Sequence, residues 1–358
     1  MADDRHNAGL DSQLCHWHTD ILEKRGKISL ESVGIDIGES TAVAVALVTS
    51  YSIAKFEIRS FPARGISGVD VHKPDRPVRA EMGGLAVLAA LALASLFYFG
   101  IDFTLDGPPV LFAAAASTVV LTGMVGVADD THELSQRFKP LLIVAASAPL
   151  MLALAGRTSI TFPILGNVHL GILYSVVAVP LAITTSANFS NLLAGFNGLE
   201  AGSATISLGT MTFISEVTGH PTVAAFGMIL TAAYLGFLFL NWYPAKIFPG
   251  DTGTLVAGAA LAAMGLAAGL EFEAIILSVP AAMDFSLKAI DRRPFKQRHV
   301  FGNAVVGLDG ILEPAPYPAL VHAFMKVSPL DERGLVISVL ALQAVFALLA
   351  VAIALIFI

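Results

Sequence analysis

A chain of 358 residues, 55% of them hydrophobic and 14% charged, with a mean hydropathy of +0.74, is too apolar for an ordinary soluble protein. Its net charge of −7 says little about partners, because the basic residues concentrate in particular connections, and no nucleic-acid partner is expected. Cys15, the single cysteine, excludes an internal disulfide and a cysteine metal cluster.

Residues 1–35 read as a polar tail in which His6, His16 and His18 are solvent-exposed, and Met1–Ser32 lacks the pattern of a cleavable signal peptide. Residues 36–358 read as one all-α, polytopic membrane domain of about ten transmembrane helices, each crossing needing about 20 apolar residues. The first span lies around Gly38–Phe56, of which only Thr41–Ile53 is free of charge. Gly83–Ile101 and Pro108–Ala128 follow, then the shorter Pro140–Gly156 and the uncharged Leu170–Ala187. Ala201–Ser215 is short again, whereas Thr222–Tyr243 and Thr252–Leu270 are long and uncharged. Phe272–Leu287 and Gly334–Ile358 complete the set.

Connections after the odd-numbered spans hold 16 of the 21 Lys and Arg residues, and the even-numbered connections carry only Arg157. The positive-inside rule therefore makes the odd connections cytoplasmic. The unusual polar clusters fall on or beside the same connections: GVDVHKPDRPVRAEMGG, ADDTHELSQRFK, NFSNLLAGFNGLEAG, NWYPAKIFPGDTGT and DRRPFKQRHVFGN. Their convergence predicts a single site at the cytoplasmic membrane boundary.

Each cluster also has a plainer reading. Asp251, after a Pro-Gly turn, fits a helix N-cap. Asn188, Asn191 and Asn197 fit turn and cap positions in a Gly-containing loop. Arg292, Arg293, Lys296 and Arg298 fit positive-inside anchors or lipid head-group contacts. Glu81 fits an interfacial position ahead of the second span, and Glu273 and Asp284 fit interfacial positions flanking the ninth. The sequon Asn188-Phe189-Ser190 is discounted on a cytoplasmic boundary.

Asp129 and Asp130 resist the plain reading best. They end an apolar helix, where the macrodipole disfavours acids, so a cation is expected beside them. Lys139 and Arg137 are close enough in sequence to fold back over that spot. Adjacent helical residues point about 100° apart, so one aspartate would address a substrate or metal while the other supports it or meets a cation. Acid, amide and base at one polar rim suit a phosphate held through a hard metal ion. Magnesium takes one or two protein oxygens and fills the rest with phosphate and water. Asp251 and an Asn carbonyl would serve, leaving Lys and Arg to neutralise a diphosphate.

At these residues the chain resembles the polyprenyl-phosphate N-acetylhexosamine-1-phosphate transferases, membrane enzymes of ten helices. The resemblance runs from about Gly65 to the C-terminus. It rests on Asp70-x-x-Lys73, Glu81-x-Gly83-Gly84, the ADD stretch with Lys139 beyond it, and the NFSNLLAGFNGLEAG and NWYPAKIFPGDTGT segments. NLLAGFNGLEAG and NWYP are similar to the archaeal and eukaryotic branch that makes N-acetylglucosaminyl-diphospho-dolichol. Bacterial relatives usually carry an aspartate at the place of Ala194, and the muramoyl-pentapeptide branch a run of histidines where this chain has only Arg298-His299. Glu133 departs from the asparagine common in the eukaryotic enzymes.

The resemblance implies transfer of N-acetylglucosamine 1-phosphate from its UDP donor to dolichyl or another polyprenyl phosphate, releasing UMP, the first membrane step of lipid-linked oligosaccharide synthesis. It implies a multi-pass protein with its active site facing the cytoplasm, magnesium or manganese as cofactor, and a homodimer as the common assembly. Carried over, Asn191 and Asp251 bind the metal, Asp129 and Asp130 lie at the acceptor phosphate, and Lys139 compensates charge. Lys73, Glu81, Asn188, Asn197, Arg298 and His299 contact substrate. Two other readings stand beside it: the same chemistry on another UDP-sugar in cell-envelope polymer synthesis, and a membrane transporter. The transporter requires charges near the bilayer midplane and half-to-half symmetry, neither of which the sequence displays.

Overall fold

The computed structural model describes residues 37–101, 110–163, 166–291, 304–307 and 310–357. Apolar runs of this length bury their backbone polar groups only by coiling into helices, and a helix stands at each expected place. In chain order these are α1 (Ile37–Ser60), α2 (Gly84–Ile101), α3 (Val110–His132), α4 (Phe138–Ala146) and α5 (Ala148–Ala153). Then come α6 (Val179–Leu192), α7 (Leu199–Val217), α8 (Pro221–Asn241), α9 (Gly250–Ala268) and α10 (Glu271–Ile290). A short α11 (Leu320–Val327) precedes α12 (Glu332–Phe357). Five of them, α1, α3, α8, α9 and α12, are long and apolar enough to cross a membrane, and α2 and the α4–α5 stretch are shorter apolar helices.

The structure differs from the expected spans where prolines and small hairpins intervene. The fourth span is two helices, because Pro149 sits in the first turn of α5 and cannot continue the ladder of α4. The chain is also not purely helical. Three antiparallel hairpins, Ser67–Val69 with Val78–Ala80, Ser159–Phe162 with Gly166–His169, and Val305–Val306 with Leu312–Glu313, close connections between helices.

Helix α9 lies at the centre. Every residue from Thr252 to Ala268 is buried, against α3, α6, α7, α8 and α10. Its composition explains this: Gly and Ala dominate, and small residues let helices in a membrane approach until their backbones touch. Gly126 of α3 meets α9 so closely that a Cβ there would stand 2.5 Å from the Thr252 Cα. Outer helices behave differently. Leu348, Leu355 and Ile356 of α12 are exposed, as side chains facing lipid are.

Both ends of α9 are capped by side chains from outside the helix. At the C-terminus, Arg157 donates to the carbonyls of Leu266 and Ala267, satisfying orphan acceptors at the negative end of the dipole. Arg157 was the one basic residue out of place in the charge count, and this contact is its reason.

Glu273 and Asp284, expected at interfacial positions flanking the ninth span, are packed within the protein. Both are buried, and Asp284 pairs with Lys288 one turn later at 2.6 Å. Lys288, one of the basic residues assigned to the odd-numbered connections, donates to the Leu192 carbonyl at 2.6 Å. The i,i+4 spacing lets opposite charges neutralise each other within the protein.

Candidate active site

The site forms where α3 ends and α9 begins. The close approach at Gly126 lays the last turn of α3 over the first turn of α9. There Asp130 accepts from the Asp251 N–H at 2.7 Å, the Thr252 N–H at 3.0 Å and the Thr252 hydroxyl at 2.6 Å. An acid unfavourable at the end of its own helix thus occupies the favourable N-terminus of another. Gly250 is required on two counts: its φ is +67°, and a Cβ would meet Asp130 Oδ2 at 2.7 Å.

Asp129 points elsewhere. Its Oδ1 accepts the Leu134 N–H at 2.6 Å and its Oδ2 the Lys139 ammonium at 2.8 Å. Lys139 also donates to Asp251 Oδ2 at 2.7 Å, so one ammonium bridges two carboxylates. Arg137 stays exposed. Asp251 is therefore no N-cap: its side chain meets Lys139 and accepts from the Asn191 amide at 3.0 Å, while Asp130 supplies the cap.

Two cavities meet at this pair. One, about 340 Å³, is lined by Asp70, His72, Glu81, Asp130 and Asn197. The other, about 570 Å³, is lined by Asp129, Lys139, Asn188 and Phe285. Asn191, Ala194, Gly195 and Asp251 line both. The two adjacent aspartates thus face different cavities, as helical geometry requires. A third, apolar cavity of about 230 Å³ between α6 and α10 shares Thr185 and Phe189 with the second.

Glu81 is placed by backbone bonds. The Ala80 carbonyl accepts from Phe248 N at 2.9 Å, and Gly83 and Gly84 donate to the carbonyls of Phe248 and Pro249, each at 2.9 Å. This stitches the segment before α2 to the segment before α9. Burial first, and the charge of Asp130 second, raise the Glu81 carboxyl above its ordinary 4.5.

Other expected site residues fall into different roles. Lys73, expected near the nucleotide, has an ammonium that pairs with Asp70 at 3.3 Å and with Glu332, lies 4.3 Å from the Tyr243 ring centre, and donates to Asn197 Oδ1 at 3.1 Å. Asn188 lines the larger cavity, its amide donating to the Thr184 carbonyl at 2.8 Å. Glu133 is exposed with φ +49° and ends α3, a left-handed position that asparagine adopts more easily. Arg298 and His299 lie outside the described residues. Thr252, His72, Glu200 and Glu332 were missed. Thr252 follows a singled-out aspartate and could have been found; Glu332 carries no sequence signal.

Residues 112–269 match glycosyl transferase family 4. A Saccharolobus solfataricus protein is 32% identical over 314 residues, covering 86% of this chain and 94% of that protein. The chain belongs to glycosyl transferase family 4. The Saccharolobus relative is named, provisionally, a UDP-N-acetylglucosamine–dolichyl-phosphate N-acetylglucosaminephosphotransferase. So is one from Sulfolobus acidocaldarius, 30% identical over 88% of this chain and 96% of its own length. A Dictyostelium discoideum protein bears the same name outright, at 30% identity over 49% of this chain and 50% of that protein. Asp129, Asp130, Lys139, Asn191 and Asp251 lie inside the matched family segment, and Lys73, Glu81 and Glu332 outside it.

Proposed function

We propose that this family 4 member transfers N-acetylglucosamine 1-phosphate from UDP-N-acetylglucosamine to dolichyl or another polyprenyl phosphate, releasing UMP, with its site facing the cytoplasm. The observation that carries the reading is the meeting of two cavities at Asn191 and Asp251. A reaction that joins two phosphorylated substrates needs two pockets with one shared wall. The apolar cavity continuing from the acid–lysine side suits a polyprenyl chain. The names of the relatives agree.

The residues fit a divalent cation. Among the described residues the walls of the two phosphate cavities bring Asp70, Glu81, Asp129, Asp130, Glu200 and Asp251 together with one lysine, Lys139. A diphosphate would be repelled from such an acid-rich site without added positive charge. Asp251 and the Asn191 amide oxygen are hard donors of the kind magnesium or manganese takes, and turning over the Asn191 amide exchanges its nitrogen for its oxygen. Asn191 and Asp251 would hold such an ion, which when bound would supply positive charge to the donor diphosphate.

In the larger cavity, Lys139 offers its ammonium to the acceptor phosphate while Asp129 holds that ammonium in place. The acceptor needs little help to ionise, because a phosphate monoester loses its second proton near about pH 6. One of its oxygens attacks the phosphorus bonded to the sugar. The new P–O bond forms as the bond to UMP breaks, and UMP leaves with the electron pair. Asp129 is thus an orienting group, and the reaction is a single displacement. Holding both partners in line lowers the barrier by several kcal/mol.

Membranes containing the protein, given radiolabelled UDP-N-acetylglucosamine and dolichyl phosphate, test the reading. Lipid-extractable label with equimolar UMP, abolished by a chelator and restored by magnesium, is expected. No labelled lipid from folded protein would overturn it, and label from a different UDP-sugar would redirect it to envelope polymer synthesis.

A further inference from the structure

Glu332 opens α12, 259 residues from Lys73 along the chain, and lines neither phosphate cavity. Its side chain is 2% exposed. One carboxylate oxygen accepts the Asn197 backbone N–H at 2.8 Å, and the other binds the Lys73 ammonium. Lys73 in turn donates to Asn197 Oδ1 at 3.1 Å, and the Ala245 N–H donates to the same oxygen at 2.8 Å. Asn197 is therefore held twice by one carboxylate: directly through its backbone, and through Lys73 at its side chain.

That double hold has a chemical result. Both acceptor positions of the Asn197 carbonyl oxygen are taken by interior donors. The amide nitrogen has no protein partner among the described residues, and Asn197 lines the 340 Å³ cavity. The residue is fixed as a hydrogen-bond donor toward a ligand and cannot turn over to become an acceptor. The neighbouring Phe196 is held as well, its ring stacked on His72 at 4.3 Å. Asp70, His72 and Glu332 place ligand atoms within 4.8 Å of one another. The Lys73 ammonium already joins the two carboxylates, so this group is an internal ion network.

We infer that Glu332 is a positioning residue for the donor nucleotide, setting the backbone and the amide polarity of Asn197. The inference rests on the transferase reading. Glu332→Gln keeps the shape and an oxygen for the Asn197 N–H but removes one of the two carboxylate charges that hold Lys73, leaving Asp70 as its remaining partner. Losing a charge-assisted hold on one donor contact is worth roughly tenfold in affinity. The expected result is a roughly tenfold rise in KM for UDP-N-acetylglucosamine, with kcat and KM for the polyprenyl phosphate within about twofold.

A double-mutant cycle with Asn197→Ala should be non-additive, because the two act through one contact. Unchanged nucleotide KM, a loss in kcat alone, or additive effects would overturn the inference. Thermal unfolding in detergent checks that the variant folds. If it does not, Glu332→Asp, which keeps the charge but shortens its reach, should show the same selective KM rise, and a wild-type KM there overturns the inference. Calorimetric binding of UDP separates the two ideas. Wild-type protein that binds UDP without turnover refutes the transferase reading while the variant's Kd still judges Glu332. Wild-type protein that does not bind UDP removes both.

Discussion

Asp130 accepts the backbone N–H of Asp251, 121 residues further on, at 2.7 Å. One carboxylate thereby fixes the start of the central helix and the direction of the side chain beside it. Asp130→Ala removes an N-terminal cap worth about 1 kcal/mol and lets Asp251 wander. The expected result is a lower unfolding midpoint in detergent together with loss of transfer. A variant as stable as wild type would show that the cap is dispensable.

Asp251→Ala is expected to abolish transfer with the fold intact, because Lys139 keeps Asp129 as its partner. Near-normal turnover would remove Asp251 from the site. Lys139→Met is the harsher change. It leaves Asp129 and Asp251 facing each other without a cation, and breaking a buried pair costs about 3–5 kcal/mol. Activity and unfolding midpoint should fall together, and a stable variant with wild-type rate would refute the bridge.

Gly126→Val tests the approach of α3 to α9. The added atoms would run into the Thr252 backbone, which cannot yield as a flexible side chain could. Separation of the helices should draw Asp130 off its donors, so cross-linking between cysteines placed at the two helix ends should slow. Unchanged cross-linking would mean that the helices do not need that contact.

Glu81 gives a prediction in pH. Burial and Asp130 raise its folded-state pKa above 4.5, so between 4.5 and the raised value the folded protein holds a proton that the unfolded chain has lost. Stability from this group is present below that window and is lost as pH rises through it. Glu81→Gln removes the loss. The stability of the variant relative to wild type should therefore grow as pH rises above the ordinary carboxylate range, read from unfolding midpoints across a pH series. A difference that stays flat across that series would refute the assignment.

Much of this was legible in the sequence, and the reasons are local. Long apolar runs can form only helices in lipid, so helix positions follow from composition. Asp129, Lys139, Asn191 and Asp251 stood out because polar residues at the ends of apolar runs are costly without a task. What the sequence withheld are partnerships across long separations. Lys73 was expected near the nucleotide, but its partner Glu332 begins the last helix, and nothing near either residue announces the other. Asp284 and Lys288 carry the i,i+4 spacing of an ion pair, but only the packing of α10 against α6 decides that the pair is inside. The division of Asp129 and Asp130 between two cavities follows from helical geometry, whereas the capping of α9 by Asp130 depends on a glycine one turn earlier.

The burial of α9 on all sides has a consequence for the bilayer. A helix wrapped by other helices does not touch lipid, so it cannot answer a thicker or thinner membrane by tilting, as an outer helix such as α12 can. The depth of Asp251 is set by the surrounding protein. Reconstitution into lipids of differing acyl length should then strain the periphery and leave the spacing between the two phosphate cavities unchanged.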